Sequence, residues 1–272
     1  METIESIYPV SSASHQSATP KAKPVRVFLC QPDSINDPAL LAEYRELLDD
    51  DERGRLSRYH VPADARAFLA SHALVRTALS EFADQPPKSW RFRRNQYGRP
   101  EIDPPGAHGL RFNLAHTREL VGCIVSRGAE VGIDLESPRD LGDLLAIAQR
   151  FFAQEEAALL RTLPPEKQAP YFLSIWTLKE AYVKARGMGL SLPLQRIRFE
   201  IERGEIEFQI APELEDDSAE WSFALLRTAA RHLVAIAVRR RGLAPERMVP
   251  KWIVPLTNLT PSAECEILAA TR

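Results

Sequence analysis

Cysteine is scarce and poorly placed for cross-linking. Cys30, Cys123 and Cys265 are the three cysteines of a 272-residue chain, with long separations and no CxxC pair. An odd, scattered set excludes a disulfide framework and a thiolate zinc site, so a reducing cytoplasm is the expected setting. Long apolar runs are also missing: none approaches the roughly 18 residues of a membrane span. Residues 1–24 lack the basic start and apolar core of a signal peptide. Charge of one sign is missing too, since Lys and Arg total 35 against 37 for Asp and Glu, a net charge of -2. Such a chain has no overall field to draw nucleic acid or a membrane, and neither partner is expected. Any anionic ligand has to be met by a local patch.

With 44% hydrophobic and 26% charged residues, the composition is that of ordinary globular material, enough for one large domain or two small ones. Residues 1–24, rich in Ser, Ala and Pro, read as a flexible leader. A first strand is expected at Val25–Leu29, then a helix over Ala39–Leu48. A core-facing helix opens at Pro62, where Phe68, His72, Val75, Leu79 and Phe82 recur at helical spacing. His72 lies on that stripe and reads as a packed core histidine. Leu120–Val125 and Val131–Glu136 flank a turn and suggest an antiparallel hairpin. Helices are expected near 143–150, 154–163 and 168–186, a hairpin at 197–210, and strands at Trp221–Arg227 and His232–Val238. The proline-bearing tail from Gly242 reads as an appendage. The segment Arg118–Val125 echoes Arg231–Val238: either apolar strands merely look alike, or the chain holds two related α/β halves with a ligand cleft between them.

Three clusters carry chemistry. In VGIDLE, Asp134 and Glu136 alternate with Ile133 and Leu135, so on a strand both carboxylates share a face. Repulsion between them is relieved by a hard cation, because Mg²⁺ takes oxygen ligands and uses carboxylates together with substrate phosphates. The plainer alternative is a solvated strand end before Ser137-Pro138. In WTLKEAYVK, Phe172, Ile175, Trp176 and Val183 define an apolar helical stripe that contains Lys179, with Glu180 at its edge and Lys184 one turn on. Glu180 and Lys184 alone would pass for a surface ion pair, and Lys179 for a lysine running its stem along apolar surface. A metal-bound diphosphate explains the group together, with Glu180 as third carboxylate ligand and both lysines on phosphate oxygens. In Asn113-Leu114-Ala115-His116-Thr117, the histidine either donates to a phosphate or caps a turn.

Together FNLAHT, VGIDLE, RFFAQEE and WTLKEAYVKARGMGLSLPL resemble the 4'-phosphopantetheinyl transferases of the surfactin-synthetase-activating (Sfp) type. QYGRP and DARAFLASHALVR extend the resemblance over roughly 25–240. It implies an α+β fold, a pseudo-twofold pair of similar α/β halves, each a small mainly antiparallel sheet packed with helices, here 25–130 and 131–241, with 242–272 as a C-terminal extension. It implies an Mg²⁺-dependent enzyme, with Mn²⁺ as an alternative, that moves the phosphopantetheine arm of coenzyme A onto a serine of an apo acyl, peptidyl or aryl carrier protein. The other product is adenosine 3',5'-bisphosphate, and the enzyme is expected to be a cytoplasmic monomer serving fatty-acid, polyketide or nonribosomal-peptide synthesis. On the matching positions, Asp134, Glu136 and Glu180 hold the metal, and Lys184 contacts the diphosphate alongside Lys179. His116 lies near the 3'-phosphate, Arg55 and Arg99 serve the nucleotide, and Glu156 organises metal-bound water. Glu180, directly or through such a water, is the candidate base ahead of Glu136 and Glu156, with Asp134 and Lys184 completing the catalytic set. Arg91, Arg93 and Arg94 are candidates for receiving an acidic carrier. Glu52 departs from the pattern, standing where a basic residue would suit the 3'-phosphate, and Ala115 replaces a serine. A metal-dependent phosphohydrolase and a non-catalytic binding module are the rival readings.

Overall fold

The computed structural model describes residues 25–138 and 142–272; the segment read as a leader lies outside them. Strand β1 (Val25–Cys30) is followed by helices α1 (Pro38–Leu47), α2 (Asp50–Leu56) and α3 (Pro62–Ser80). Next come β2 (Phe92–Arg94), β3 (Pro100–Ile102), β4 (Leu110–His116), β5 (Val121–Arg127) and β6 (Val131–Glu136). Helices α4 (Leu144–Phe151), α5 (Gln154–Thr162) and α6 (Pro165–Arg186) precede β7 (Ile197–Glu202), β8 (Glu205–Ile210), β9 (Trp221–Thr228) and β10 (Leu233–Arg239). The chain ends with β11 (Lys251–Trp252) and β12 (Cys265–Ala270).

Local chemistry accounts for the helix boundaries. Pro62 and Pro165 stand in first turns, where a missing N–H costs nothing. Asp49 accepts from the Glu52 N–H while the Glu52 carboxylate accepts from the Asp49 N–H, a reciprocal cap that starts α2 within an otherwise charged run. Gly187, at φ 68°, ends α6 in the left-handed region.

The two main sheets run β11-β1-β5-β4 and β6-β10-β9-β12-β8-β7. Side-chain alternation sorts them into layers. Val27, Leu29 and Ile124 of the first sheet and Ile133, Leu135, Val234 and Ile236 of the second form a shared layer between the sheets. Phe28, Cys123 and Val125 face α3 on one outer side, and Ala235, Ala237 and Leu225 face α6 on the other. The halves repeat: in the order β1-β5-β4, β5 pairs antiparallel with both neighbours, and so does β10 in β6-β10-β9. Strands β5 and β10 are the two echoing segments, so the sequence echo reflects equivalent central strands under equivalent helices. The fold is α+β with small, mainly antiparallel sheets, as expected.

Two expectations are corrected. Strands β5 and β6 form no hairpin: β5 is flanked on both sides by β1 and β4, and β6 crosses into the other sheet to pair with β10. There Ile133 and Leu135 turn back onto β5, so close that a Cβ on Gly122 would fall 2.8 Å from Ile133 Cδ1. The tail is no appendage. Strand β11 lies parallel to β1 in the first sheet, and β12 is inserted between β9 and β8 in the second, so residues 242–272 complete both sheets.

Candidate active site at the seam between α6 and β6

Helix α6 lies unusually close to β6. A Cβ on Gly132 would stand 1.9 Å from the Ala181 carbonyl oxygen and 2.6 Å from the Ala185 nitrogen, so only glycine allows this approach. Gly132, Asp134 and Glu136 share the strand face turned to α6, and the acids are thereby brought beside the helix residues Glu180 and Lys184. The Lys184 ammonium meets Asp134 Oδ1 at 2.5 Å, with the lysine side chain 29% and the aspartate 8% exposed. Glu180 feels both strand acids: burial first, then Asp134, with Glu136 adding to it, raises its carboxyl above the ordinary value against the opposing pull of Lys184. Three carboxylates at one seam form an all-oxygen, anionic donor set, which is the chemistry a hard divalent cation takes. Among the described residues no three His, Cys, Asp or Glu side chains converge tightly enough to form a ready-made cage; the Lys184 ammonium stands against Asp134 instead. The residues fit Mg²⁺ by donor type and charge.

Lys179 requires correction. Its side chain is fully buried, paired with Glu156 at 2.8 Å, and it donates to the carbonyls of Leu194 (3.0 Å) and Ile197. It points into the core behind α6, not to a diphosphate. The same observation corrects Glu156, which is 2% exposed and accepts from the N–H groups of Ala153 and Phe199 as well. Engaged by three donors, it is placed neither to organise water at the acid seam nor to act as a base.

In the first half, a cleft of about 700 Å³ opens between α2, α3 and β4, where Arg55, Arg58, Arg93 and Arg94 share the lining with Asp49, Asp51 and Glu52, and His72 and His116 complete its polar wall. His116, the last residue of β4, has its imidazole held below its ordinary value by burial, then by Lys184 and His72, with Arg55 contributing. Lys184 of the second half is therefore near enough for its charge to be felt at His116. Arg55 lies over the Phe68 ring at 5.2 Å. Sequence reasoning assigned Arg93 and Arg94 to a carrier surface; both line this cleft, and Arg91 is tied to the carbonyls of Lys88 and Trp90.

Sequence reasoning missed the role of Glu52. Its carboxylate is buried between His72 Nδ1 at 2.9 Å and Arg76 at 2.7 Å. Burial alone would raise it, but the hydrogen bond and charge of His72 and the charge of Arg76 hold it down at about 2. The missing basic residue is thus replaced by an acid that anchors a histidine of the cleft wall, and the Asp49-x-x-Glu52 capping signature was the available clue. Arg99 also moves. Its guanidinium is turned onto the carbonyls of Ala185 (2.9 Å), Phe112 (3.0 Å) and Val131 (3.4 Å), and it borders a separate cavity rather than the cleft of His116. This placement corrects its assignment to the nucleotide. Asn113, inside FNLAHT, has a role that its motif did not disclose: its Oδ1 accepts the Ile133 N–H at 2.9 Å and ties the two halves together.

The acids of the seam and the arginines of the cleft thus lie in the two similar halves of one chain. Residues 130–237 match the family model of the 4'-phosphopantetheinyl transferase superfamily, and residues 38–127 match that of the 4'-phosphopantetheinyl transferase N-terminal region. The chain is 34% identical over 223 residues to the 4'-phosphopantetheinyl transferase HetI of Nostoc sp., covering 81% of this chain and 89% of that protein. It is 31% identical over 169 residues to the 4'-phosphopantetheinyl transferase Sfp of Bacillus subtilis, covering 61% and 73%. It is 26% identical over 208 residues to the mouse L-aminoadipate-semialdehyde dehydrogenase-phosphopantetheinyl transferase, covering 71% and 67%. The chain belongs to the 4'-phosphopantetheinyl transferase superfamily.

Proposed function

We propose that this enzyme transfers the 4'-phosphopantetheine arm of coenzyme A to a serine hydroxyl of an apo acyl, peptidyl or aryl carrier protein and releases adenosine 3',5'-bisphosphate. The observation that carries the reading is the pairing of Lys184 with Asp134 where α6 packs on β6, with Glu180 near enough to feel Asp134 and Glu136, while the charge of Lys184 is also felt at His116 of the cleft. In this reading the cleft takes the nucleotide, with Arg55 and His116 as donors to its phosphates, and the diphosphate reaches the seam.

Asp134, Glu136 and Glu180 would hold Mg²⁺, or Mn²⁺ in its place. When bound, the ion neutralises diphosphate charge and supports in-line displacement at phosphorus. Lys184 leaves Asp134 for a diphosphate oxygen as the site fills, and stabilises charge on the departing nucleotide phosphate. The serine oxygen forms its bond to the pantetheine-bearing phosphorus while the bond from that phosphorus to the bridging oxygen breaks. The electron pair leaves with adenosine 3',5'-bisphosphate, and the serine proton passes to Glu180, the carboxylate on the helix side of the seam. Both halves of the site come from one chain, which supports a monomer. Cytoplasmic action fits the scattered cysteines, of which Cys30 and Cys123 are buried and free.

Incubation with Mg²⁺, coenzyme A and a panel of small apo-carriers, read by intact mass, tests the reaction. A carrier that gains one phosphopantetheine with matching release of adenosine 3',5'-bisphosphate supports it. Release of the nucleotide without any carrier, or no gain on any carrier, overturns it.

A further inference from the structure

The last turn of α6 carries Lys184, yet what holds that turn comes from the other half of the molecule. The four C-terminal carbonyls of a helix lack partners within it, and here two of the carbonyls at the end of α6 are met by a single turn between β2 and β3. Arg99 donates to the Ala185 carbonyl at 2.9 Å, and Asn95 Nδ2 donates to the Gly187 carbonyl at 3.3 Å. Asn95 also builds the turn, because its Oδ1 accepts the N–H groups of Tyr97 (2.9 Å) and Arg99 (3.0 Å). The other arm of the Arg99 fork reaches the carbonyls of Phe112 in β4 and Val131 at the start of β6. One guanidinium therefore joins α6, the first sheet and the strand that carries Asp134. A cation at a helix C-terminus is also favoured by the helix dipole. Space at the contact is filled, since a Cβ on Gly187 would fall 2.7 Å from Arg99 Nη1.

We infer that Asn95 and Arg99 are positioning residues, which clasp the C-terminal cap of α6 and so keep Glu180 and Lys184 in register with Asp134, without Arg99 touching the nucleotide. The inference rests on the transferase reading above. Lys184 immediately precedes Ala185, so loosening the cap displaces the ammonium directly, and misplacement by about 1 Å can cost on the order of a hundredfold in rate.

The test compares Arg99→Gln, Arg99→Lys and Asn95→Ala with the parent by steady-state kinetics on coenzyme A and an apo-carrier, and by amide hydrogen exchange across 183–187. In Arg99→Gln we expect kcat to fall by roughly ten- to a hundredfold, KM for coenzyme A to stay within about threefold, and exchange at the α6 cap to accelerate. Asn95→Ala removes no charge and should give the same signature more weakly, while Arg99→Lys, which keeps the charge but loses the fork, should fall between. A rise in KM for coenzyme A of about tenfold or more with kcat retained would overturn the inference in favour of direct nucleotide contact; so would unchanged exchange at 183–187. Should Arg99→Gln fail to fold, the two milder variants decide by the same criteria. A parent that modifies no carrier sinks the functional reading alone, because the exchange measurement reads the clasp without turnover.

Discussion

Lys179 and Lys184 stand five residues apart on one helix and live in different worlds. At about 100° per residue they are separated by roughly 140° around the axis, whereas Glu180 and Lys184 differ by about 40°. Lys179 is fully buried and locked to Glu156, with burial pushing its ammonium below the ordinary value against the pull of that partner. Lys184 is 29% exposed and meets Asp134 of β6. A charge sealed in the core is held by fixed partners and cannot be lent to a ligand. A charge that keeps contact with water can exchange its partner when an anion arrives. One side of α6 anchors the helix and the other meets the acids of β6.

The largest effect should come from the side that meets β6. Asp134→Ala should lower phosphopantetheine transfer by about a thousandfold or more, equivalent to about 4 kcal/mol of barrier. Stability should change little, because the lysine left behind is 29% exposed and keeps access to water, while loss of the buried Asp134 carboxylate also relieves its repulsion of Glu180. Thermal melting beside the carrier assay checks both parts. A folded Asp134→Ala protein that transfers at the parental rate would break the contrast at its functional end.

Next comes the sealed side. Lys179→Met leaves the Glu156 carboxylate buried beside two N–H donors without its cation, which should cost about 3–5 kcal/mol in urea unfolding. The fraction that folds should retain most of its transfer rate. Adding Glu156→Gln should recover much of the loss, since a buried ion pair can be replaced by neutral groups far more cheaply than it can be halved. A Lys179→Met protein of parental stability but with turnover reduced by orders of magnitude would reverse the two roles.

Much of this division was legible in the sequence. The apolar stripe of Phe172, Ile175, Trp176 and Val183 already places Lys179 inward, where a charged group requires a partner. What periodicity could not supply was the partner, because Glu156 reaches it from α5, 23 residues away in the chain. The α+β class, the paired halves and the strand face shared by Asp134 and Glu136 followed from periods of 2 and 3.6 and from the echo of residues 118–125 in 231–238. Strand order did not follow: the turn after β5 looks like a hairpin turn locally, and only the two filled flanks of β5 send β6 elsewhere. The tail was misread for a related reason, since prolines mark its loops but say nothing of the gap between β8 and β9 that β12 fills. Arg99 shows the limit of carrying a role over by position, because a guanidinium in a matching turn can cap a helix as readily as it can meet a phosphate.

The smallest effect sharpens the comparison without any ligand. His116 is held below its ordinary value by burial and then by Lys184, with His72 and Arg55 adding to the effect. Removing a nearby cation favours protonation, so Lys184→Ala should raise the His116 titration midpoint. Lys179→Met should leave the midpoint where it is, because that charge is sealed behind the helix. The sign extends to stability. A histidine whose folded value lies below the unfolded one stabilises the fold above about pH 6.5 and loses that contribution as pH falls through the folded value. Lys184→Ala should therefore soften this part of the acid-induced loss. Titration of the imidazole C–H resonances by NMR reads the shift directly. Equal shifts in both variants, or none in Lys184→Ala, would mean that the charge of Lys184 is not felt at His116, and the proposed path of the diphosphate between them would fall with it.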